Sequence, residues 1–480
     1  MNNNLEKNIV SASFWSLLGQ FGYVIIGLSA NIVLARILGP KIFGQIGIIM
    51  FFIIISKVIS ESGLSGALVR KNDVNESDYS TVFIFNLVVS IVLMLVIIML
   101  APYISDYYAD IQLNQLLIVS SFILPIDAFR ITQNAKLVHQ MHFKRKAIYE
   151  FIAILLASII GITLAVNNFG VWSIVAMQLS TAFFLTSLLW LFEGPLRTYH
   201  FSRNSFKSLY AFGVNTTFAS LLNTTFDNIY QLVLAKYFSF SIAGFFYQAK
   251  KIQGIPTNIF ASLINNPIYS SLSKIQSDNK EFTYYYEKIT TLLTVLFGLL
   301  TLFVLVYSKN IINILYGENW LSSDFYLKIL IVSSFFYTQE LFNRVIFKIF
   351  NKTQKILYLE IFKKLIQIGP IIIGVFMLSI KVIMFGFLAT SVVSSIINIY
   401  FSSNQIKTSA TPIIKRLFGI ILSVFVSFLG VSFIIDLYEV SGYNTFFFLP
   451  LIISIYFLLL RILDIYNIVH FIRSFLKKSI

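Results

Sequence analysis

The chain has 480 residues, of which 57% are hydrophobic and only 12% are charged, and its formal net charge is +15. Charged residues make up about 25% of an ordinary soluble domain, so this composition excludes a soluble globular chain and indicates a polytopic membrane protein. Cysteine is absent, which excludes disulfides and thiol chemistry. A large positive charge suggests nucleic acid only in a soluble protein, so we expect no nucleic-acid partner.

Fourteen apolar windows of about 20 residues, the length that crosses a hydrocarbon core of roughly 30 Å, follow one another along the chain. They predict an all-α polytopic membrane protein with about 14 transmembrane helices. The windows lie near residues 11–37, 43–64, 79–101, 113–136, 147–167, 170–192, 208–236, 241–272, 287–308, 325–347, 356–379, 382–403, 414–435 and 446–463.

The connection between the first two windows recurs later in the chain. Residues 33–44 read VLARILGPKIFG and residues 233–244 read VLAKYFSFSIAG, so Val, Leu, Ala, a cation and a closing Gly repeat at an offset of 200. Six helices per repeat is an even number, so both repeats enter the membrane from the same side, related by a pseudo-two-fold axis along the membrane normal. We predict an N-terminal lobe at 1–200, a C-terminal lobe at 201–405, and two additional helices with a tail at 406–480, with the substrate path between the lobes.

A stripe of small or polar residues precedes each repeated connection at helical spacing. Such a stripe is costly against lipid, so we expect it to face protein or a water-filled space. Ordinary helix packing through small residues explains the first stripe equally well. The stripes are Ser16, Gln20, Tyr23, Gly27 and Asn31, then Thr216, Ser220, Asn223, Asp227 and Gln231.

The cations outside the windows predict the orientation. If the N-terminus is cytoplasmic, the inner connections and tails, with the adjoining window ends at Lys415, Arg416 and Arg461, hold 21 Lys and Arg, whereas the outer connections hold only Lys41, Lys309 and Lys381. Positive charge collects on the cytoplasmic side of membrane proteins. We therefore expect both termini in the cytoplasm.

Charged residues also fall inside the windows. At about 3 kcal/mol for each lipid-facing charge, most of them must face a cavity or lie near a helix end. They include Lys57, Arg130, Lys250, Lys251, Arg344, Lys363 and Lys364, with the acids Glu61, Asp127, Glu150, Asp227, Glu340 and Glu360.

From the stripes and these charges we select candidate site residues. Lys250 and Lys251 come first for binding phosphate, because no acid lies within four residues of them on their helix. Asp127 and Glu340 each have an Arg one turn away, so salt bridges within one helix are an alternative for both pairs. The candidates for substrate binding are Lys250, Lys251, Arg130, Arg344, Asn223, Gln231, Gln20 and Asn31, and those for ion coupling are Asp227, Asp127 and Glu340. No catalytic residue, cofactor or metal site is predicted.

Several motifs of the N-terminal lobe carry a family resemblance. They are LARILGPKIFG at 34–44, ESGLSGALVRK at 61–71, DYSTVFIFN at 78–86, FKRK at 143–146 and NFGVWS at 168–173. These motifs resemble the polysaccharide-transport flippases, the Wzx-type O-antigen translocases of the multidrug/oligosaccharidyl-lipid/polysaccharide superfamily. The C-terminal lobe matches this family mainly in its helix pattern.

The resemblance implies two six-helix lobes plus two extra helices. It also implies movement of a polyprenyl-pyrophosphate-linked oligosaccharide, as in O-antigen, lipopolysaccharide or capsule biosynthesis, across the bacterial inner membrane by alternating access. Its expected partners are the lipid-linked glycan and membrane lipids, with a polysaccharide polymerase and a chain-length regulator as further candidates.

Two other functions fit the same general pattern. An ion-coupled drug or small-molecule antiporter of the superfamily would call for a compact, acid-rich pocket in one lobe. A membrane glycosyltransferase or polymerase needs an outer loop that houses acid-base residues, and the longest outer connection, about 309–324, is too short to fold alone. We therefore expect a transporter rather than an enzyme.

Overall fold

The computed structural model describes residues 2–61, 63–71, 73–438 and 442–465; the side chains of 2–14, 16–18, 20, 211–216, 219, 442 and 443 lie outside this description. All the secondary structure in the described residues is helical. The α-helices are α1 (Asn2–Glu61), α2 (Leu64–Arg70), α3 (Glu76–Tyr108), α4 (Gln112–Ser121), α5 (Ile123–His139), α6 (Phe143–Val166), α7 (Trp172–Glu193), α8 (Arg203–Tyr237), α9 (Phe240–Leu263), α10 (Tyr269–Lys274), α11 (Asn279–Tyr316), α12 (Ser323–Ile349), α13 (Thr353–Phe376), α14 (Ile380–Gln405), α15 (Ala410–Leu437) and α16 (Leu449–Ile462).

Each of the fourteen apolar windows coincides with a helix or with a broken helix. The first two windows are the two halves of α1, the fourth is α4 with α5, and the eighth is α9 with α10 across a π-helical turn at Ile264–Ile268. A segment in hydrocarbon folds as a helix because it must satisfy its backbone polar groups internally. The predicted all-α polytopic fold is confirmed, and the chain is a multi-pass membrane protein.

The described helices differ in polarity. Nine of them are long and apolar enough to cross a membrane. The helices α8, α9, α12 and α13 have between 24 and 35 residues but fall outside this set, because they are rich in polar and charged residues. These four helices carry Asp227, Lys250, Lys251, Glu340, Arg344, Glu360, Lys363 and Lys364.

The repeated connection is a break between helices in both copies. In α1 the break is at Gly39, whose φ of 74° and ψ of 175° suit glycine, and Pro40 begins the second half. At the equivalent place α8 ends at Tyr237, and the Ser239 side chain accepts a 3.1 Å hydrogen bond from the Ile242 N–H at the start of α9. The sequence repeat therefore corresponds to a repeated structural break.

The two breaks contact each other reciprocally. A Cβ on Gly44 would lie 1.9 Å from the backbone oxygen of Phe240, and a Cβ on Gly244 would lie 1.9 Å from the backbone oxygen of Pro40. Gly44 corresponds to Gly244 and Pro40 to Phe240 at the repeat offset of 200, so each contact is the counterpart of the other. The two breaks therefore have the local two-fold relation that the sequence repeat predicts. Both positions require glycine because backbone atoms occupy the space of a side chain.

The described chain forms two compact units, residues 1–247 and 248–480. In the first, α1 packs against α6, α8 and α3. In the second, α12 packs against α14 and α11, and the Tyr456 hydroxyl of α16 donates a 2.9 Å hydrogen bond to the Val295 oxygen of α11. The lobe boundaries at residues 200 and 405 rest on symmetry rather than on compactness, so they stay a prediction.

The segment before α8 is fixed to the start of α3. The His200 N–H donates to the Ser80 hydroxyl at 2.6 Å, and the Ser202 N–H donates to the Thr81 hydroxyl at 3.0 Å. Asp78, which is fully buried, completes the capping box of α3. The motif at 78–86 thus has a structural task, since it binds the backbone that leads into α8.

Candidate functional site

The polar stripes of α1 and α8 are buried near the breaks and open farther away. Asn31 and Gln231, the residues of each stripe nearest the break, are 7% and 4% exposed. Gln231 fills the space beside Gly47, where a Cβ would lie 2.2 Å from its Nε2 atom. One turn farther from the break than Gln231, Asp227 is exposed. The stripes are therefore buried at the end near the breaks, and the second stripe becomes exposed at Asp227.

The remaining stripe candidates have mixed surroundings. Asn223 is half-buried, and the side chain of Gln20 lies outside the described residues. Within the described part of the chain, Asn31 Oδ1 and Gln231 Nε2 have no hydrogen-bond partner. Buried polar atoms without a partner also occur elsewhere in the described chain, and water or a ligand can satisfy them. Their roles in substrate binding stay a prediction.

One cluster of charges joins α1 to α5. Asp127 forms an ion pair with Lys57, whose Nζ lies 2.5 Å from Oδ2, and accepts a hydrogen bond from Arg130 Nε at 2.6 Å. Glu61 interacts electrostatically with the same three side chains. We call Lys57, Glu61, Asp127 and Arg130 the Asp127 cluster. Its two acids and two cations sum to zero charge.

A second cluster joins α12 to α13. The Glu340 side chain is fully buried and accepts from Lys363 Nζ at 2.7 and 3.0 Å through its two oxygens. Arg344 binds Glu360 and lies 3.6 Å from Glu340. The ring of Tyr337 lies 5.1 Å from Lys363 Nζ. We call Glu340, Arg344, Glu360 and Lys363 the Glu340 cluster, and it too is neutral.

The sequence left open whether Asp127 and Glu340 form salt bridges within one helix, and the structure shows the partners of both. The pairing of Asp127 with Arg130 inside one helix is present, but the strongest partner of Glu340 is Lys363 from another helix. Sequence reasoning missed Lys57 and Lys363 as partners, because their contacts depend on how neighbouring helices pack. A network whose charges balance in this way holds helices in register and leaves little excess charge for an anionic headgroup.

Lys250 and Lys251 lie on α9 and belong to neither cluster. Both are half-buried, and among the described residues Lys251 has no ion-pair partner. Close by on α9, Gln253 donates to the Thr257 hydroxyl at 2.8 Å and to the Ser334 hydroxyl of α12. This part of α9 therefore combines cations with hydrogen-bonding groups, which is the chemistry that a phosphate and a sugar require.

Comparison with known proteins relates this geometry to a family. Residues 33–325, more than half of the chain, match the family described as "Polysaccharide biosynthesis protein". The chain is 22% identical over 314 residues to the succinoglycan biosynthesis transport protein ExoT of Rhizobium meliloti (strain 1021), covering 65% of this chain and 64% of ExoT. It is 22% identical over 325 residues to the lipopolysaccharide biosynthesis protein WzxC of Escherichia coli (strain K12), covering 66% and 65%. The chain thus spans slightly less than two thirds of these relatives.

Solved structures show the fold. The lipid II flippase MurJ in an inward closed conformation superposes with a TM-score of 0.70 at 17% identity, covering 94% of this chain and 98% of MurJ. An inward-facing multidrug resistance MATE family transporter of the MOP superfamily superposes with a TM-score of 0.60 at 16% identity, covering 80% and 94%. The expected superfamily fold is therefore confirmed. With its family match over residues 33–325, the chain belongs to the polysaccharide biosynthesis protein family.

Proposed function

We propose that this protein is a flippase that moves a polyprenyl-pyrophosphate-linked oligosaccharide, of O-antigen or capsule type, across the bacterial cytoplasmic membrane. Family membership over residues 33–325 carries the proposal, and relatives named for succinoglycan transport and lipopolysaccharide biosynthesis support it. The proposal is for a transporter that works by alternating access, not for an enzyme.

The physical need for such a protein is large. Each unpaired sugar hydroxyl costs a few kcal/mol to move from water into hydrocarbon, and the pyrophosphate costs far more. The polar helices α8, α9, α12 and α13 carry groups that can replace the lost water. The lipid tail needs no such replacement, because it can remain in the bilayer.

The two neutral clusters support a division of tasks among the candidate residues. Arg130 and Arg344 already bind carboxylates, so we assign the pyrophosphate to Lys250 and Lys251 instead. Asp227 is the preferred candidate for coupling to an ion gradient, because it is exposed on a polar stripe. Asp127 and Glu340 are held in ion pairs, which favours a structural task for both.

The polar stripe residues have a complementary task in this proposal. Asn223, together with Gln20, would exchange hydrogen bonds with sugar hydroxyls, whereas Asn31 and Gln231, which are buried beside the helix breaks, would reach them in another conformation of the alternating-access cycle. We further propose that both termini are cytoplasmic, following the distribution of Lys and Arg along the chain. A polymerase and a chain-length regulator are the proposed protein partners, since the delivered repeat unit must be joined to others.

The test is reconstitution of the full chain into vesicles with a fluorescent lipid-linked oligosaccharide and a leaflet-accessibility assay. We expect the wild type to move the lipid, and replacement of Lys250 and Lys251 by Gln to lower the initial rate by about tenfold or more, as expected for losing charged hydrogen bonds. The matched control replaces two exposed lysines, Lys309 and Lys381, by Gln and should retain the wild-type rate.

Two results would contradict the proposal. Wild-type protein that leaves the lipid-linked oligosaccharide in its original leaflet would remove the flippase function. Wild-type protein that instead exchanges a cationic drug for protons would establish the antiporter alternative. A double Lys250 and Lys251 variant with full activity would retain the function and move the headgroup site elsewhere.

A further inference from the structure

An open groove of about 530 Å³ lies within the first compact unit, between the second half of α1, the end of α3 and the end of α8. It lies outside the stripes and both charge clusters. Almost all of its surface is aromatic or aliphatic, and Lys236 is its one cation. We call it the Lys236 groove; the lining residues that matter here are Phe51, Phe52, Tyr103, Tyr107, Ile229 and Lys236.

The groove is amphipathic along its length. At the end near the helix breaks, Lys236 Nζ lies 4.2 Å from the centre of the Tyr107 ring and donates to the Tyr107 backbone oxygen. Ile229 is two turns earlier on α8, roughly 10 Å away along the helix axis. There the walls are Ile229, Phe51 and Phe52, without a charge. The groove therefore has a fixed cation at one end and an apolar channel leading from it.

The cation keeps capacity for a ligand. An ammonium group has three N–H donors, and a phosphate oxygen is the acceptor that it binds best. The cation–π contact with Tyr107 and the hydrogen bond to its backbone oxygen hold the ammonium in place. Tyr103, which is 73% exposed, stands at the mouth of the groove. Lys236 can therefore bind an anionic group that enters the groove.

We propose that the Lys236 groove binds the phosphate-bearing polyprenyl carrier lipid on the outer side of the membrane. The phosphate would bind Lys236 and the first isoprenoid units would lie against Phe51, Phe52 and Ile229. The positions of Lys and Arg along the chain assign the end near the helix breaks to the outer face. A sugar fits less well, because the walls below Lys236 offer it few hydrogen-bond partners. This inference rests on the proposed function, in which the carrier must have a place on the outer side.

The experiment uses an environment-sensitive fluorophore on a single introduced cysteine, since the natural chain has none. Met99→Cys, an exposed position one turn before Tyr103 on α3, reports on the groove, and Met377→Cys in the second compact unit is the matched reporter. The full chain in nanodiscs is titrated with polyprenyl phosphate, polyprenol, phosphatidylglycerol, inorganic pyrophosphate or a soluble oligosaccharide.

We expect polyprenyl phosphate to shift the Met99 reporter saturably and to leave the Met377 reporter unchanged. Lys236→Gln should weaken this binding by about tenfold or more, as expected for the loss of a charged hydrogen bond. Lys236→Arg should retain it, and so should the control Lys309→Gln. Polyprenol should bind weakly and equally to the wild type and to Lys236→Gln.

Several results would overturn the inference. These are unchanged affinity for polyprenyl phosphate in Lys236→Gln, an equal shift with phosphatidylglycerol at the same mole fraction, or a response of the Met99 reporter to the soluble oligosaccharide alone. The proposed function fails separately. A wild-type protein that binds polyprenyl phosphate in the groove but does not move the lipid-linked oligosaccharide would retain this site and lose the flippase function.

Discussion

Replacing Glu340 by Gln tests whether the Glu340 cluster holds α12 against α13. The Glu340 side chain is fully buried and Lys363 is 11% exposed, with two N–O contacts of 2.7 and 3.0 Å between them. The variant leaves the Lys363 ammonium buried without its carboxylate, and breaking a buried pair in this way costs about 3 to 5 kcal/mol. Removing both partners, in Glu340→Met with Lys363→Met, should bring the free energy of unfolding back to within about 1 kcal/mol of the wild type.

The measurement is the free energy of unfolding in detergent micelles, from dodecyl sulfate titrations followed by circular dichroism. The matched control is Glu150→Gln, which breaks the 2.5 Å pair with Lys146 on one helix, where both side chains are about a quarter exposed (24% and 25%). That change should cost less than about 1 kcal/mol. The structural reasoning is refuted if Glu340→Gln costs no more than the control, or if the double variant is as unstable as the single one.

Three further changes have definite expected outcomes. Gly44→Ala should lower the free energy of unfolding by about 2 kcal/mol or more, because the added Cβ meets a backbone oxygen. The control Gly27→Ala, which has open space around it, should be neutral or stabilising, and equal effects of the two changes would contradict the close approach at Gly44. Thr81→Val should cost about 1 to 3 kcal/mol in the same assay, since it leaves a backbone N–H of the segment before α8 without an acceptor; a neutral result would mean that this segment is held elsewhere. Ser277 and Ser322 are exposed positions beyond the two ends of α11. A single cysteine at Ser322 should react with an impermeant thiol reagent added outside the cell, whereas a single cysteine at Ser277 should react only after permeabilisation. The opposite pattern would reverse the orientation.

Features that depend on local sequence could be predicted, and features that depend on packing could not. The fourteen helical windows follow from apolar length, and the repeated break follows from residues 33–44 and 233–244 alone. The contact between Asp127 and Arg130 could be predicted, because two residues three positions apart on one helix lie side by side. No spacing in the sequence brings Lys57 to Asp127, since that contact depends on the rotation of α1 against α5.

The Lys236 groove shows the same limit. The repeat identifies Lys236 as the counterpart of Arg36. That correspondence does not predict which residue Lys236 contacts. Its position over Tyr107 appears only when α3 and α8 lie side by side. The motif at 78–86 is similar, because the acceptors that Ser80 and Thr81 provide for a distant backbone segment are visible only in the fold.

The composition of the two charge clusters bears on which parts of the molecule move. Asp127 and Glu340 lie on helices that correspond in the predicted repeat, yet Lys57 comes from the second predicted helix and Lys363 from the eleventh. The eleventh helix corresponds to the fifth, so the clusters do not obey the repeat. Each cluster lies inside one compact unit. In the proposed alternating-access cycle, ion pairs inside one unit can persist, whereas a group that binds and releases substrate has to change its surroundings. Substitutions in the clusters should therefore lower stability before they alter substrate preference, and changes of substrate preference should come from α8 and α9.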